Sequence, residues 1–171
     1  MLRPATPSDV ETLVALAQHP DIARTLATTA VASLQDDVGD LLAIVEGGQL
    51  VGGVRWVLVN RRSRIADIRT LMIDPAHAGK GLATRTVRQL AEYLVVEREI
   101  HRIEAEVYGF NTAAVRVFER AGFTREGVRR QAYDRHGAWQ DGVRFGLLSH
   151  ELGERLRHRP EGDPSHRCEP L

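Results

Sequence analysis

The sequence predicts an α+β domain with a mixed, mainly antiparallel central sheet flanked by helices. Three observations carry that expectation. The hydrophobic period changes from helical to alternating at Leu41, a three-stranded meander follows, and single helix and strand patterns then succeed one another before a closing hairpin. The 171 residues suffice for one domain with a real core. Its expected bounds are 1–152, with a polar, disordered tail over 153–171.

Met1–Ala5 reads as a short strand. Thr6-Pro7-Ser8-Asp9 reads as a helix start, with Thr6 as cap, Pro7 at the first helical position and Asp9 in the first turn. Val10, Leu13, Val14 and Ala17 follow at helical spacing, and His19-Pro20 ends the run. Asp21 to about Ala27 reads as a shorter second helix, and 28–40 fits loop or helix equally.

Leu41–Glu46 and Leu50–Asn60 form a hairpin around Gly47-Gly48, and Ile65–Ile73 is the third strand of the meander. Ala66, Ile68, Thr70 and Met72 share one face of that strand, and Asp67, Arg69, Leu71 and Ile73 the other. The next helix carries Ala83, Val87, Leu90, Ala91 and Leu94 on one stripe. His101–Tyr108 alternates again, with Ile103, Ala105 and Val107 opposite Arg102, Glu104 and Glu106. Asn111 opens a helix through Ala114, Val117, Phe118 and Ala121 that Gly122 stops. Phe123 to about Asp134 and Ala138–Leu148 close the sheet around Arg135-His136-Gly137.

Several function classes are disfavoured. The formal net charge is zero, without the basic surplus of a nucleic-acid binder. No apolar run has the length of a membrane span, and Met1-Leu2-Arg3-Pro4 lacks a signal-peptide core. The single cysteine, Cys168, suits a reducing cytoplasm. The seven histidines show no metal-binding spacing, so no metal is expected, and no G-x-S-x-G is present.

Chemistry concentrates between Leu71 and Arg88. A strand ends at Asp74-Pro75, a turn with Gly79 and Gly81 follows, and a helix starts at once. The first N–H groups of a helix lack internal partners and carry partial positive charge, which suits a phosphate. An ordinary strand-to-helix turn would look the same. Two named phosphate loops are excluded: Lys80, the only lysine, is followed by Gly81 rather than Ser or Thr, and the position of a third dinucleotide-loop glycine is Thr84.

Ala78-Gly79-Lys80-Gly81-Leu82-Ala83 fits the pattern [Q/R]-x-x-G-x-[G/A] at every fixed position but the first, and Asn111-Thr112-Ala113-Ala114-Val115-Arg116-Val117-Phe118-Glu119-Arg120-Ala121-Gly122-Phe123 matches N-x-x-A-x-x-x-[Y/F]-E-x-x-G-F. With the opening Leu2–Asp9, these stretches resemble the GNAT family of acetyl-CoA-dependent N-acetyltransferases over about residues 1–150. The closing hairpin is similar to that of its ribosomal-protein and polyamine branches.

The resemblance implies acetyl-CoA as cosubstrate, with its pyrophosphate on the N–H groups of the loop from Ala78 and Gly79 to Ala83 and Thr84. It implies backbone contacts from Leu71, Met72 and Ile73 to the pantetheine arm, the N–H of Ile73 polarising the thioester carbonyl. Asn111, Ala114 and Phe118 complete the cofactor-binding set, although Asn111 reads equally as a plain helix cap. Glu106 is similar in position to a family base, with Glu104 in reserve and Asp67 as a third carboxylate for the acceptor's ammonium; a solvated strand glutamate is the other reading of Glu106. An alkylamine with a pKa near ~10.4 must lose a proton before it attacks, which calls for such a carboxylate.

Three departures from the family pattern stand out. Ala78 replaces the usual Gln or Arg, Phe118 stands where many relatives have a tyrosine acid, and Ala114 offers no hydroxyl instead. The acid is therefore Tyr108, Tyr133 or a water. The expected activity is transfer of an acetyl group to a primary amine of a small metabolite, amino-acid-like compound or antibiotic. Acetylation of a protein N-terminus and a non-catalytic CoA-binding sensor are the alternatives. Residues 20–40 and 135–139, with Trp139, Arg129 and Arg130, are expected to line the acceptor side, and a homodimer is compatible with the resemblance.

Overall fold

The switch of period at Leu41 is where the chain returns to the sheet after an edge strand at Leu2–Pro4 and the first helices. The computed structural model describes residues 1–26, 34 and 41–157. Seven strands form one sheet in the order β1-β2-β3-β4-β5-β7-β6. They are β1 (Leu2–Pro4), β2 (Leu41–Glu46), β3 (Gln49–Asn60), β4 (Ile65–Ile73), β5 (Arg102–Tyr108), β6 (Thr124–Arg135) and β7 (Ala138–Leu148). Helices among the described residues are α1 (Pro7–Ala17), α2 (Pro20–Ala23), α3 (Leu82–Val96), α4 (Thr112–Ala121) and α5 (Ser149–Arg157). This is the expected α+β architecture. By internal packing the chain falls into two compact units, Met1–Val57 with Ile68–Thr86, and Leu58–Asp67 with Val87 onward.

In the first unit, α1 begins at a reciprocal cap. The Thr6 side chain accepts from the Asp9 N–H while Asp9 Oδ2 accepts from the Thr6 N–H at 2.7 Å. Arg3 closes the same carboxylate from the other side, Nη1 to Oδ2 at 2.6 Å and Nη2 to Oδ1 at 2.9 Å. The Arg3 bonds outweigh burial and hold the Asp9 carboxyl well below the usual carboxylate range. Leu13, Ala17, Ile22, Leu41 and Met72 pack into one core. Burial alternates along β4 as expected, with Ala66, Ile68, Thr70 and Met72 inside.

Helix α2 is one turn, shorter than the expected span to Ala27. The Thr25 hydroxyl bonds the Ile22 carbonyl at 2.8 Å and competes with helix continuation. Position 27 and most of 28–40 lie outside the described residues.

In the second unit, α4 ends at Gly122, whose φ of +101° suits only a residue without a Cβ penalty. Phe118 is 2% exposed, edge-on to Phe123 and stacked on Phe145. The β6–β7 hairpin turns at His136-Gly137, both at positive φ, as a two-residue loop. Helix α5 runs on to Arg157, five residues past the expected boundary at 152. Glu151 accepts the Leu148 N–H at 2.9 Å and Leu152 is buried. A helix this short leaves little period to read in the sequence.

Candidate active site

In the first unit, β4 delivers the chain to a turn that is held open. Asp74 Oδ1 accepts the Ala76 N–H at 2.9 Å and starts a 3₁₀ turn over Pro75–His77. Ala78 is extended and exposed, and Gly79 and Gly81 follow with φ of +78° and +74°. A Cβ at Gly79 would meet nothing within 4 Å, so the space beside this turn is open. The first helical bond is Arg85 N–H to the Gly81 carbonyl, 3.0 Å, which leaves the N–H groups of Leu82, Ala83 and Thr84 without helical partners. Arg85 braces the turn, bonding the Lys80 carbonyl at 3.0 Å and Glu46 at 3.0 Å. Such a turn fits a diphosphate: open space, free donors, and no carboxylate on its own backbone stretch from Ala78 to Thr84.

The second unit presents carboxylates on the polar face of β5. Glu104, Glu106 and Tyr108 share that face, beside Gly142, Arg144 and Gly146 of β7. Gly142 makes room for Glu106: a Cβ there would overlap its carboxylate and lie 2.9 Å from Tyr133 Cε2. Arg129 Nη1 donates to both Glu106 oxygens, at 3.3 and 3.1 Å. The same nitrogen lies 3.4 Å from the Tyr133 hydroxyl. Burial first, and the hydrogen bond to Glu106 second, push the Tyr133 phenol up to about 12. A bulge in β6 aims these groups: Arg129 and Tyr133 stand opposite Gly142 and Gln140, so extra residues loop out between them. Gln131, within that bulge, is fixed by its N–H to Asp141 Oδ1 at 2.8 Å.

The other carboxylates are committed. Glu104 accepts Arg102 Nε at 2.7 Å and faces Arg144 at 3.8 Å. Arg102 also pairs with Glu126, and Glu126 is held low by it. Gly146 makes room for this network as Gly142 does for Glu106.

Leu71 and Ile73 are half-buried on β4, while the Met72 side chain belongs to the first unit's core. Lys80 is exposed, Leu82 buried, and Ala83 and Thr84 half-buried. In the other unit, Asn111 caps α4 through Oδ1, which accepts the Ala114 N–H at 3.1 Å, and Phe118 sits in the aromatic core. Asp67 is half-buried. Trp139, at the hairpin tip, is 63% exposed, and Arg130 is exposed. Among the described residues no three His, Cys, Asp or Glu side chains gather into a metal-binding group, and no helix is long and apolar enough to cross a membrane.

Sequence reasoning missed the Arg129 and Tyr133 contacts to Glu106 and the Gly142 seat. Glycines recurring on one face of β7 were the available signal, because an interior strand glycine marks a close approach.

Residues 1–124 match the family model described as an acetyltransferase (GNAT) domain. The chain is 37% identical over 101 residues to a probable N-acetyltransferase, YjcK, of Bacillus subtilis, a match spanning 59% of this chain and 56% of that protein. It is 31% identical over 107 residues to the spermidine N(1)-acetyltransferase of Vibrio cholerae, 61% of each chain. The fold superposes on a GNAT-family acetyltransferase of Bacillus anthracis with a TM-score of 0.76 at 22% identity, covering 87% of this chain and 94% of that one. A glycine turn at a helix start, the Asn111–Phe123 helix and a match across most of the chain agree: it belongs to the GNAT acetyltransferase family.

Proposed function

We propose that this chain is an acetyl-CoA-dependent N-acetyltransferase acting by direct attack of a primary amine, its acceptor a small metabolite, amino-acid-like compound or antibiotic. The seated Glu106 carboxylate carries the reading. Family membership and a relative named for spermidine acetylation support an amine acceptor.

Acetyl-CoA supplies the activated acetyl group when bound. The N–H groups from Gly79 to Thr84 hold its diphosphate, and the backbone from Leu71 to Ile73 orients the arm beyond it. The Ile73 N–H donates to the carbonyl oxygen on which negative charge develops. Glu106 takes a proton from the acceptor's ammonium, so that a neutral amine attacks. The new bond is C–N, and the bond that breaks is C–S. A thiol near pKa ~8.5 is a fair leaving group, whereas a phenol at about 12 gives up its proton reluctantly. The thiolate therefore departs without a dedicated protein acid, and Tyr133 serves as a donor to Glu106.

Free-thiol release from acetyl-CoA, followed across polyamines, amino acids, aminoglycosides and N-terminal peptides with Glu106→Gln alongside, tests the proposal. Turnover that depends on one acceptor class and collapses by about 10²-fold or more in Glu106→Gln supports it. Phe118, buried and without a hydroxyl, favours a second reading, a non-catalytic acyl-CoA sensor. Tight acetyl-CoA binding with no turnover on any acceptor would select that one.

A further inference from the structure

Resting on the transferase reading above, we infer that the acceptor carries a carboxylate beside its amine, and that Arg129 reads that carboxylate. The acceptor class is then an α-amino-acid-like zwitterion rather than a polyamine.

The first observation is how Arg129 is used. A single nitrogen, Nη1, makes both bonds to Glu106, and Nη2 and Nε have no hydrogen-bond partner among the described residues. The guanidinium is placed rather than loose, lying over the Tyr133 ring 5.7 Å from its centroid. Its side chain is 53% exposed. A planar fork with one edge open to solvent matches a carboxylate through two parallel N–H···O bonds.

The second is the charge balance of the same face. Glu106 faces Arg129, Glu104 faces Arg102 and Arg144, and Glu126 faces Arg102. The aromatic surface next to them is also occupied by a cation, with Arg135 5.0 Å from the Tyr108 centroid and 5.9 Å from that of Phe110. A polyamine needs carboxylates or aromatic faces for each ammonium, and around Glu106 the carboxylates of Glu104, Glu106 and Glu126 and the rings of Tyr108, Phe110 and Tyr133 each already have an arginine. A zwitterion exchanges pair for pair: its ammonium takes Arg129's place at Glu106, and its carboxylate takes the open edge of Arg129. An exposed ion pair contributes little to stability, so opening this one costs little.

Matched acceptors test the inference: lysine against cadaverine, and phenylalanine against phenethylamine, with spermidine as the polyamine. The expected result is kcat/KM at least about tenfold higher for the acid-bearing member of each pair, expressed in KM, with the ratio falling towards one in Arg129→Gln. Higher kcat/KM for the decarboxylated members or for spermidine overturns it. So does an equal loss for both members in Arg129→Gln. Equilibrium binding of the same pairs, with CoA present, reads the preference without turnover. Preferential binding of the acid-bearing members with no thiol release would reject the transferase reading and keep the zwitterion site. Equal binding of both members would reject the site.

Discussion

Gly142→Ala separates positioning from packing. A Cβ at this position overlaps the Glu106 carboxylate, lying 3.0 Å from its Cδ, and comes within 2.9 Å of Tyr133 Cε2. Glu106 can yield because its carboxylate ends a flexible chain. The strand itself gains, since a glycine interior is less favourable than alanine by roughly 0.5–1 kcal/mol. These terms nearly cancel in stability, and Tm should stay within about 3 °C of the wild type. The cost falls on geometry. The carboxylate must move by about 1 Å out of this seat, and a displacement of that size at a reacting group costs about 10²-fold in rate. Thermal unfolding and kcat/KM on a turned-over amine, measured on one preparation, decide the matter. Wild-type kcat/KM would refute the claim that Glu106 acts from this seat, and a fall of about 10 °C in Tm would recast Gly142 as a packing residue.

Three further outcomes follow. Phe118→Tyr restores the hydroxyl many relatives carry, but between Phe123 and Phe145 it is buried; stability should drop by about 1–3 kcal/mol with no gain in kcat, checked by denaturant unfolding and steady-state rates. Gly79→Ala meets no neighbouring atom but forces alanine to φ of +78°, so acetyl-CoA affinity, read by calorimetry, should weaken about tenfold, and the strain should lower Tm by about 2–8 °C. Asp9→Asn should destabilise the fold by about 2 kcal/mol at neutral pH. Because the Asp9 carboxyl is lowered in the folded state, its contribution is complete above the unfolded value near ~3.9 and is lost as pH falls towards the folded one. Acid unfolding curves of the two proteins should therefore converge at low pH.

Local rules of spacing made the helices and strands legible. The capped start at Thr6, the alternation of β4 and β5, the glycine stop at Gly122 and the two-residue turn at His136-Gly137 are all written in neighbouring residues. Helix α5 was not, because it is short and its cap is a carboxylate reaching back to Leu148. The same divide runs through the candidate site. Glu106 and the glycine turn were readable from motif and face. The Arg129 and Tyr133 contacts depend on a β6 bulge that shifts register, and no period in the sequence announces such a shift. Phe118 reads as apolar either way, and only the rings of Phe123 and Phe145 around it show that its place is the core.

The most direct test is a stoichiometric one: CoA released and acetylated amine formed, quantified together by mass spectrometry, for the wild type and Glu106→Gln. The account predicts equal amounts of both products in the wild type, no release without an amine, and loss of both in the variant. CoA released at the same rate with or without amine, or acetylated amine formed undiminished in Glu106→Gln, would contradict it.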